Sequence, residues 1–362
     1  MKQFIISILI VFLAVQITWA GRAPVKKIAR DPYASAIMLN AETGEVLFAE
    51  NADATVYPAS VLKLMVLYVV LDRVEKGTLQ LSDMVQVTRE ASRMGGSQVY
   101  LDPKEQFSVE ELLYALMVQS ANDAAVALAT HVAGSKESFV ALMNQKAGEL
   151  GMKNSHFHSV HGLPPGAGQK VDVTTARDFG ILCRELVRHP KVFKYTGTRV
   201  RDFRQGQFVM RNHNHLLENV DGCDGFKTGY FTAAGFSIAA TAKRGGNRII
   251  AIVMGSKDRK VRDARATQLL AKGFSMVPAK SEPVVAAAKT KSIQKPIDSS
   301  SSEVKVAATP AMQPENVVSP TDGGGWSKFF LGVVVGFVLC ALLIFFAARK
   351  KNRRSLKYRY RR

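Results

Sequence analysis

The sequence predicts an α+β fold: an antiparallel sheet flanked by helices, with an inserted, mostly helical subdomain and a single C-terminal transmembrane helix. Three observations carry that expectation. Strand-like runs stand at both ends of the central region, a block of helical segments separates them, and a charge-free apolar stretch lies near the C-terminus. With 362 residues, 47% of them apolar, the chain can bury a real core, and its three cysteines exclude a disulfide-stapled miniprotein.

In chain order, Ala36–Leu39 and Val46–Phe48, separated by Ala41-Glu42-Thr43-Gly44, read as a hairpin. Helices follow over Ala59–Glu75, stopped by Gly77, and over Val109–Gln119, opened by the capping box of Ser108 and Glu111. Further helices are expected over Asp123–Val132, Glu137–Leu150 and Ala176–Arg188, which stop at Gly134, at Gly151 and before Pro190. Phe236–Thr241 and Arg248–Met254, joined through Gly245-Gly246-Asn247, read as a second hairpin, and a last helix spans about Val261–Lys272. First and last strands would share one sheet.

Two apolar segments decide the compartment. Lys2, the apolar run Phe4–Val15, and Ala20 before Gly21 have the layout of a secretory signal over residues 1–20. Phe329–Ala348 is twenty residues without charge, and about 20 residues at 1.5 Å rise match the roughly 30 Å hydrocarbon core. The formal charge of +19 suggests nucleic acid until it is located: nine basic residues crowd into Arg349–Arg362. Beside a membrane span such a tail sets topology and stays in the cytoplasm, so no nucleic-acid partner is expected. Residues 277–325, rich in Ala, Ser, Lys, Pro and Thr, read as a flexible tether, which leaves 30–276 as the folded domain.

The functional argument starts at Ala59. The segment from Val61 to Leu71 is apolar on nearly every side, yet Ser60 and Lys63 sit in its first turn. Three residues apart, the two side chains share a face, and the helix dipole opposes a cation there by about 0.3–1 kcal/mol. A neutral amine beside a hydroxyl is a nucleophile with its base. A free lysine at pH 7 carries a deprotonation handicap of roughly 4.6 kcal/mol, which burial and a nearby cation must remove. Alone, the pair reads better as a snorkelling lysine beside an incidental serine, since chance supplies S-x-x-K in many chains. It is not alone: Ser120-Ala121-Asn122 occupies a helix junction, and Lys227-Thr228-Gly229 follows Gly225-Phe226 on a strand.

S-x-x-K, S-D-N and K-T-G are the signature of class A β-lactamases and penicillin-binding proteins, and the three segments follow that order here with Ala121 in the middle of the second. The chain resembles the low-molecular-mass D-alanyl-D-alanine carboxypeptidases, through Tyr57-Pro58-Ala59-Ser60-Val61-Leu62-Lys63, Gln119-Ser120-Ala121-Asn122-Asp123-Ala124 and Asp224-Gly225-Phe226-Lys227-Thr228-Gly229. The resemblance implies a β-lactamase/DD-peptidase-like fold and a serine peptidase that trims peptidoglycan stem peptides ending in D-Ala-D-Ala and is inhibited by β-lactams. Ser60 would attack the penultimate D-alanine carbonyl, Lys63 accept its proton, and Ser120 relay it to the departing D-alanine. Asn122 would hold the substrate backbone, Lys227 supply positive potential, and Thr228 and Arg248 grip the terminal carboxylate. Beyond Gly229, the amides of Ser60 and Tyr230 would form the oxyanion hole.

Departures accompany the match. Ala121 stands where the family often has Gly, and the usual Asn-Pro before Gly162-Leu163 is missing at Phe157-His158-Ser159-Val160. No E-x-x-L-N segment supplies the deacylating carboxylate of a β-lactamase, and no G-x-S-x-G suggests a hydrolase triad. His156, His158, His161, His213 and His215 have spacings a zinc site could use, but no H-E-x-x-H accompanies them and a Ser/Lys mechanism needs no cofactor. Cys183 and Cys223 are weak evidence for a bridge. A D-alanyl endopeptidase of the same fold, or a non-catalytic wall-binding or β-lactam-sensing module, remain as alternatives.

Overall fold

Strands β1 (Ser35–Asn40) and β2 (Val46–Glu50) make the expected first hairpin. Two short pairs follow, β3 (Met84–Gln86) with β4 (Gln106–Ser108) and β5 (Val200–Phe203) with β6 (Phe208–Arg211), neither of which the sequence announces. A meander of β7 (Cys223–Phe231), β8 (Gly235–Arg244) and β9 (Asn247–Ser256) then completes a five-stranded sheet in the order β2-β1-β9-β8-β7. Each neighbouring pair is antiparallel, so the first and last strands of the domain do share one sheet through β1 and β9. The structure, a computed structural model, describes residues 23–278. The expected signal segment 1–20, the span 329–348 and the tail 349–362 lie outside the described residues, as does the tether beyond Pro278. Among the described residues no helix is long and apolar enough to cross a membrane.

The helices are α1 (Lys63–Glu75), α2 (Arg89–Ser92), α3 (Val109–Met117), α4 (Asn122–Ala133), α5 (Lys136–Leu150), α6 (Ala176–Val187), α7 (Val192–Thr196), α8 (Leu216–Asn219) and α9 (Arg259–Met276). Side chains cap most of the longer ones. Ser108 and Glu111 form the expected capping box on α3, and Ser135, Thr175 and Asp258 cap α5, α6 and α9. The helix expected over Ala59–Glu75 divides: Ala59–Leu62 is a 3-10 turn, and α1 proper starts at Lys63. Ala59 takes φ +47, a left-handed conformation that cannot enter an α-helix, so the turn that carries Ser60 is wound more tightly than the rest.

Strand β9 explains why the sheet sits in the middle. Its residues are buried on both faces, and they alternate between two cores. Ile249, Ala251 and Val253 pack with Met38, Leu269 and Leu270 under α9, while Ile250, Ile252 and Met254 join Ile37 and Leu39 against the helical block. Through that block runs α1, every residue of which from Lys63 to Leu71 is buried. Full burial of each Leu, Val or Met there contributes about 1.5–3 kcal/mol, enough to fix the helix start under the cleft against the modest pull of propensity. Cys183 on α6 and Cys223 on β7 are free thiols.

Candidate active site

The first turn of this buried helix meets three other segments. Lys63 is fully buried, and its Nζ lies 3.0 Å from Ser60 Oγ, 2.7 Å from Asn122 Oδ1 and 2.9 Å from the His161 carbonyl oxygen. The last two are acceptors only, provided the Asn122 amide is oriented this way. That orientation is fixed by Asn122 Nδ2, which donates to the Gly95 carbonyl at 2.7 Å. As an ammonium Lys63 donates to all three; in the neutral form its two N–H bonds would go to those two acceptors and its lone pair would face the Ser60 hydroxyl. Burial holds the Lys63 pKa well below its ordinary value, and the Lys227 charge pushes the same way. Asp123 and Asp172 act in the opposite direction. Desolvation therefore does most of what the helix dipole was expected to do.

Ser120 stands between α3 and α4, 2% exposed, with φ +59. That left-handed turn ends α3 at Met117, two residues short of the expected Gln119, and turns the serine into the cleft. The Asn122 amide donates to the Ser97 carbonyl at 2.8 Å, and the Asp123 carboxylate accepts from the amides of Val99 and Leu101, both at 3.1 Å. The loop carrying Ser97 is thereby strapped to the first turn of α4. Asn122 was expected to hold substrate backbone; as placed it orients Lys63, and one Nδ2 hydrogen is left for that contact.

Strand β7 forms the opposite wall. Lys227 is buried, donating only to the Thr228 carbonyl at 3.2 Å among the described residues, and its pKa falls to about 7 through burial first and the Arg262 charge second. A Cβ on Gly229 would come within 2.8 Å of both the Pro58 carbonyl and the Ser60 amide nitrogen. Glycine is required there so that the strand can lie against the turn that carries Ser60. Gly162, at φ +73, approaches the Ala59 carbonyl so closely that a Cβ would stand 2.1 Å from it. Together with Ser60, Ser120, Thr228 and Tyr230, residues His213 and Arg262 line a cleft of about 440 Å3.

Arg248 is the expectation the structure corrects. It pairs bidentately with Asp224 at 2.6 and 2.7 Å and stacks 4.0 Å over the Phe193 ring. Its partner on β8 is Lys243, whereas Thr228 faces Ile238, a separation of roughly 16 Å at about 3.3 Å per residue. Arg262, on the first turn of α9, occupies the cleft instead, 3% exposed at its side chain. Its signal was present: a guanidinium at a helix N-terminus opposes the dipole as Lys63 does, and demands the same explanation. The His161 carbonyl carries no such signal, because a backbone acceptor has no residue type. The rings of His156 and His158 lie 4.5 Å apart, and among the described residues no three His, Cys, Asp or Glu side chains converge where a metal ion could sit.

A serine pressed against a buried lysine amine, under a second buried lysine on the sheet edge, is the arrangement of the serine acyl-transfer enzymes with the DD-peptidase fold. The sequence matches the D-alanyl-D-alanine carboxypeptidase family over residues 26–258, and the chain belongs to that family. It is 37% identical over 244 residues to the D-alanyl-D-alanine carboxypeptidase DacF of Bacillus subtilis, covering 67% of this chain and 62% of that one. To DacC of Escherichia coli it is 37% identical over 246 residues, covering 66% and 60%. The match thus spans about three-fifths of these curated relatives. Penicillin-binding protein 5 of Haemophilus influenzae superposes with a TM-score of 0.63 at 33% identity, covering 70% of this chain and 73% of that one. A Listeria monocytogenes penicillin-binding protein solved in its ampicillin-bound form gives 0.61 at 31% identity, covering 67% and 98%.

Proposed function

We propose that the protein is a serine-type D-Ala-D-Ala carboxypeptidase that removes the terminal D-alanine from peptidoglycan stem peptides. The observation that carries this reading is the fully buried Lys63 Nζ 3.0 Å from Ser60 Oγ. Lys63 takes the hydroxyl proton as Ser60 Oγ bonds to the penultimate D-alanine carbonyl carbon. The oxyanion is stabilised by the Ser60 amide, an orphan donor of a helical first turn, and by the Tyr230 amide that Gly229 lets approach. The peptide C–N bond then breaks, with Ser120 passing the proton to the leaving amine, and water hydrolyses the ester. Lys227 and Arg262 give the cleft the positive potential that receives the substrate's terminal carboxylate, with the Thr228 hydroxyl beside them.

β-Lactams acylate the same serine in this reading. The chain enters the secretory route through 1–20, and the apolar segment 329–348 anchors it with the catalytic domain outside the cytoplasm. Incubation with a stem pentapeptide and, separately, with a cross-linked muropeptide tests the assignment. Free D-alanine from the pentapeptide, faster than monomer from the cross-link, is expected. Monomer release alone makes the protein an endopeptidase, and neither product makes it a binding module.

A further inference from the structure

We infer that Asp172 is a positioning residue for the general base, acting through the Ser159 hydroxyl and the His161 carbonyl. This inference rests on the serine–lysine reading of the site. Asp172 is 4% exposed, and its carboxylate accepts from the His158 amide at 2.6 Å, the Ser159 amide at 2.9 Å and the Ser159 hydroxyl at 2.7 Å. Ser159 Oγ in turn accepts from the Gly162 amide at 2.9 Å. A hydroxyl has one proton, so accepting from Gly162 leaves that proton for Asp172; the three donors aimed at the carboxylate favour its charged form, against the burial that raises its pKa.

Between Ser159 and Gly162 the chain is closed into a tight turn, and His161, inside that turn, presents its carbonyl to Lys63 at 2.9 Å. The turn is seated on the nucleophile's own backbone, because Gly162 has no room for a Cβ against the Ala59 carbonyl. The clasp thus fixes one of the two acceptors that consume the Lys63 N–H bonds and aim its lone pair. The charged or titratable groups facing Lys63 are Lys227 from β7, Asp123 from α4, and His161 and Asp172 from this loop and its return.

The test follows acylation of the full-length chain by penicillin across pH, for wild type, Asp172→Asn, Ser159→Ala and Ser159→Thr. In wild type the adduct must map to Ser60; failure there overturns the functional reading and this inference with it. Asp172→Asn and Ser159→Ala should each lower the plateau acylation rate between about tenfold and a hundredfold, the scale of a misplaced catalytic group. Ser159→Thr, which keeps the hydroxyl, should restore it. In Asp172→Asn the ascending limb of the profile should also move to lower pH, because a negative charge that favours the ammonium form of Lys63 has gone. A loop that merely loosens would hydrate Lys63 and move that limb to higher pH. Wild-type rates in Ser159→Ala, or a limb moved upward in Asp172→Asn, overturn the inference; should Asp172→Asn fail to fold, the Ser159 pair of variants decides it.

Discussion

Gly229 and Ser60 lie so close that a single added carbon on the glycine would stand 2.8 Å from the serine's amide nitrogen. The strand edge and the Ser60 turn are therefore one packed unit, across which the substrate carbonyl of the proposed reaction would bind. Gly229→Ala should force β7 outward and carry the Tyr230 amide away from the oxyanion. Loss of one such donor costs about 10²–10³ in rate, so kcat for D-alanine release should fall by that factor while the fold, read by circular dichroism, persists.

Replacing Lys63 by Arg retains a cation and removes the base. Guanidinium does not deprotonate in proteins, so penicillin acylation should fall by about 10²–10⁴, the usual contribution of a general base. Stopped-flow acylation rates measure it, and near-normal turnover would exclude Lys63 as proton acceptor.

The two buried lysines set opposite limbs of the pH profile. On the proposed mechanism acylation requires Lys63 neutral and Lys227 charged, so activity should rise as pH climbs through the lowered Lys63 pKa and fall as pH passes about 7. In kcat/KM, which reports the free enzyme, Lys227→Arg should move the descending limb to higher pH and leave the ascending one.

Much of this was legible before any coordinates. Capping residues and glycine stops located the long helices because those signals act within one turn, and the three motifs located Ser60, Lys63, Ser120 and Lys227 because each chemistry needs a particular side chain. What escaped depends on distant packing. The 3-10 turn before α1 follows from Ala59 at φ +47, a conformation that nothing in alanine announces. The β3–β4 and β5–β6 pairs are only three and four residues long per strand, too short for alternation to register. Arg248 and Arg262 are both arginines near the end of the domain; the strand register carries the one to Asp224, and the first turn of α9 brings the other to the cleft.

That distinction is measurable. Arg262→Gln should raise KM for the pentapeptide about tenfold to a hundredfold, the worth of one charge-assisted hydrogen bond at about 1.5–3 kcal/mol. It should also move the descending limb upward in pH, since the Arg262 charge depresses Lys227. Arg248→Gln should leave kcat/KM near wild type and lower the thermal midpoint by a few degrees, through the lost Asp224 pair and Phe193 stack, about 1–3 kcal/mol.

The most direct test of the Ser60–Lys63 pairing is mass spectrometry of the protein after exposure to penicillin, with peptide mapping of the adduct. One molecule of drug per chain should be found on the peptide containing Ser60, and none in Ser60→Ala. Label on another residue, or no label on folded protein, would contradict the account.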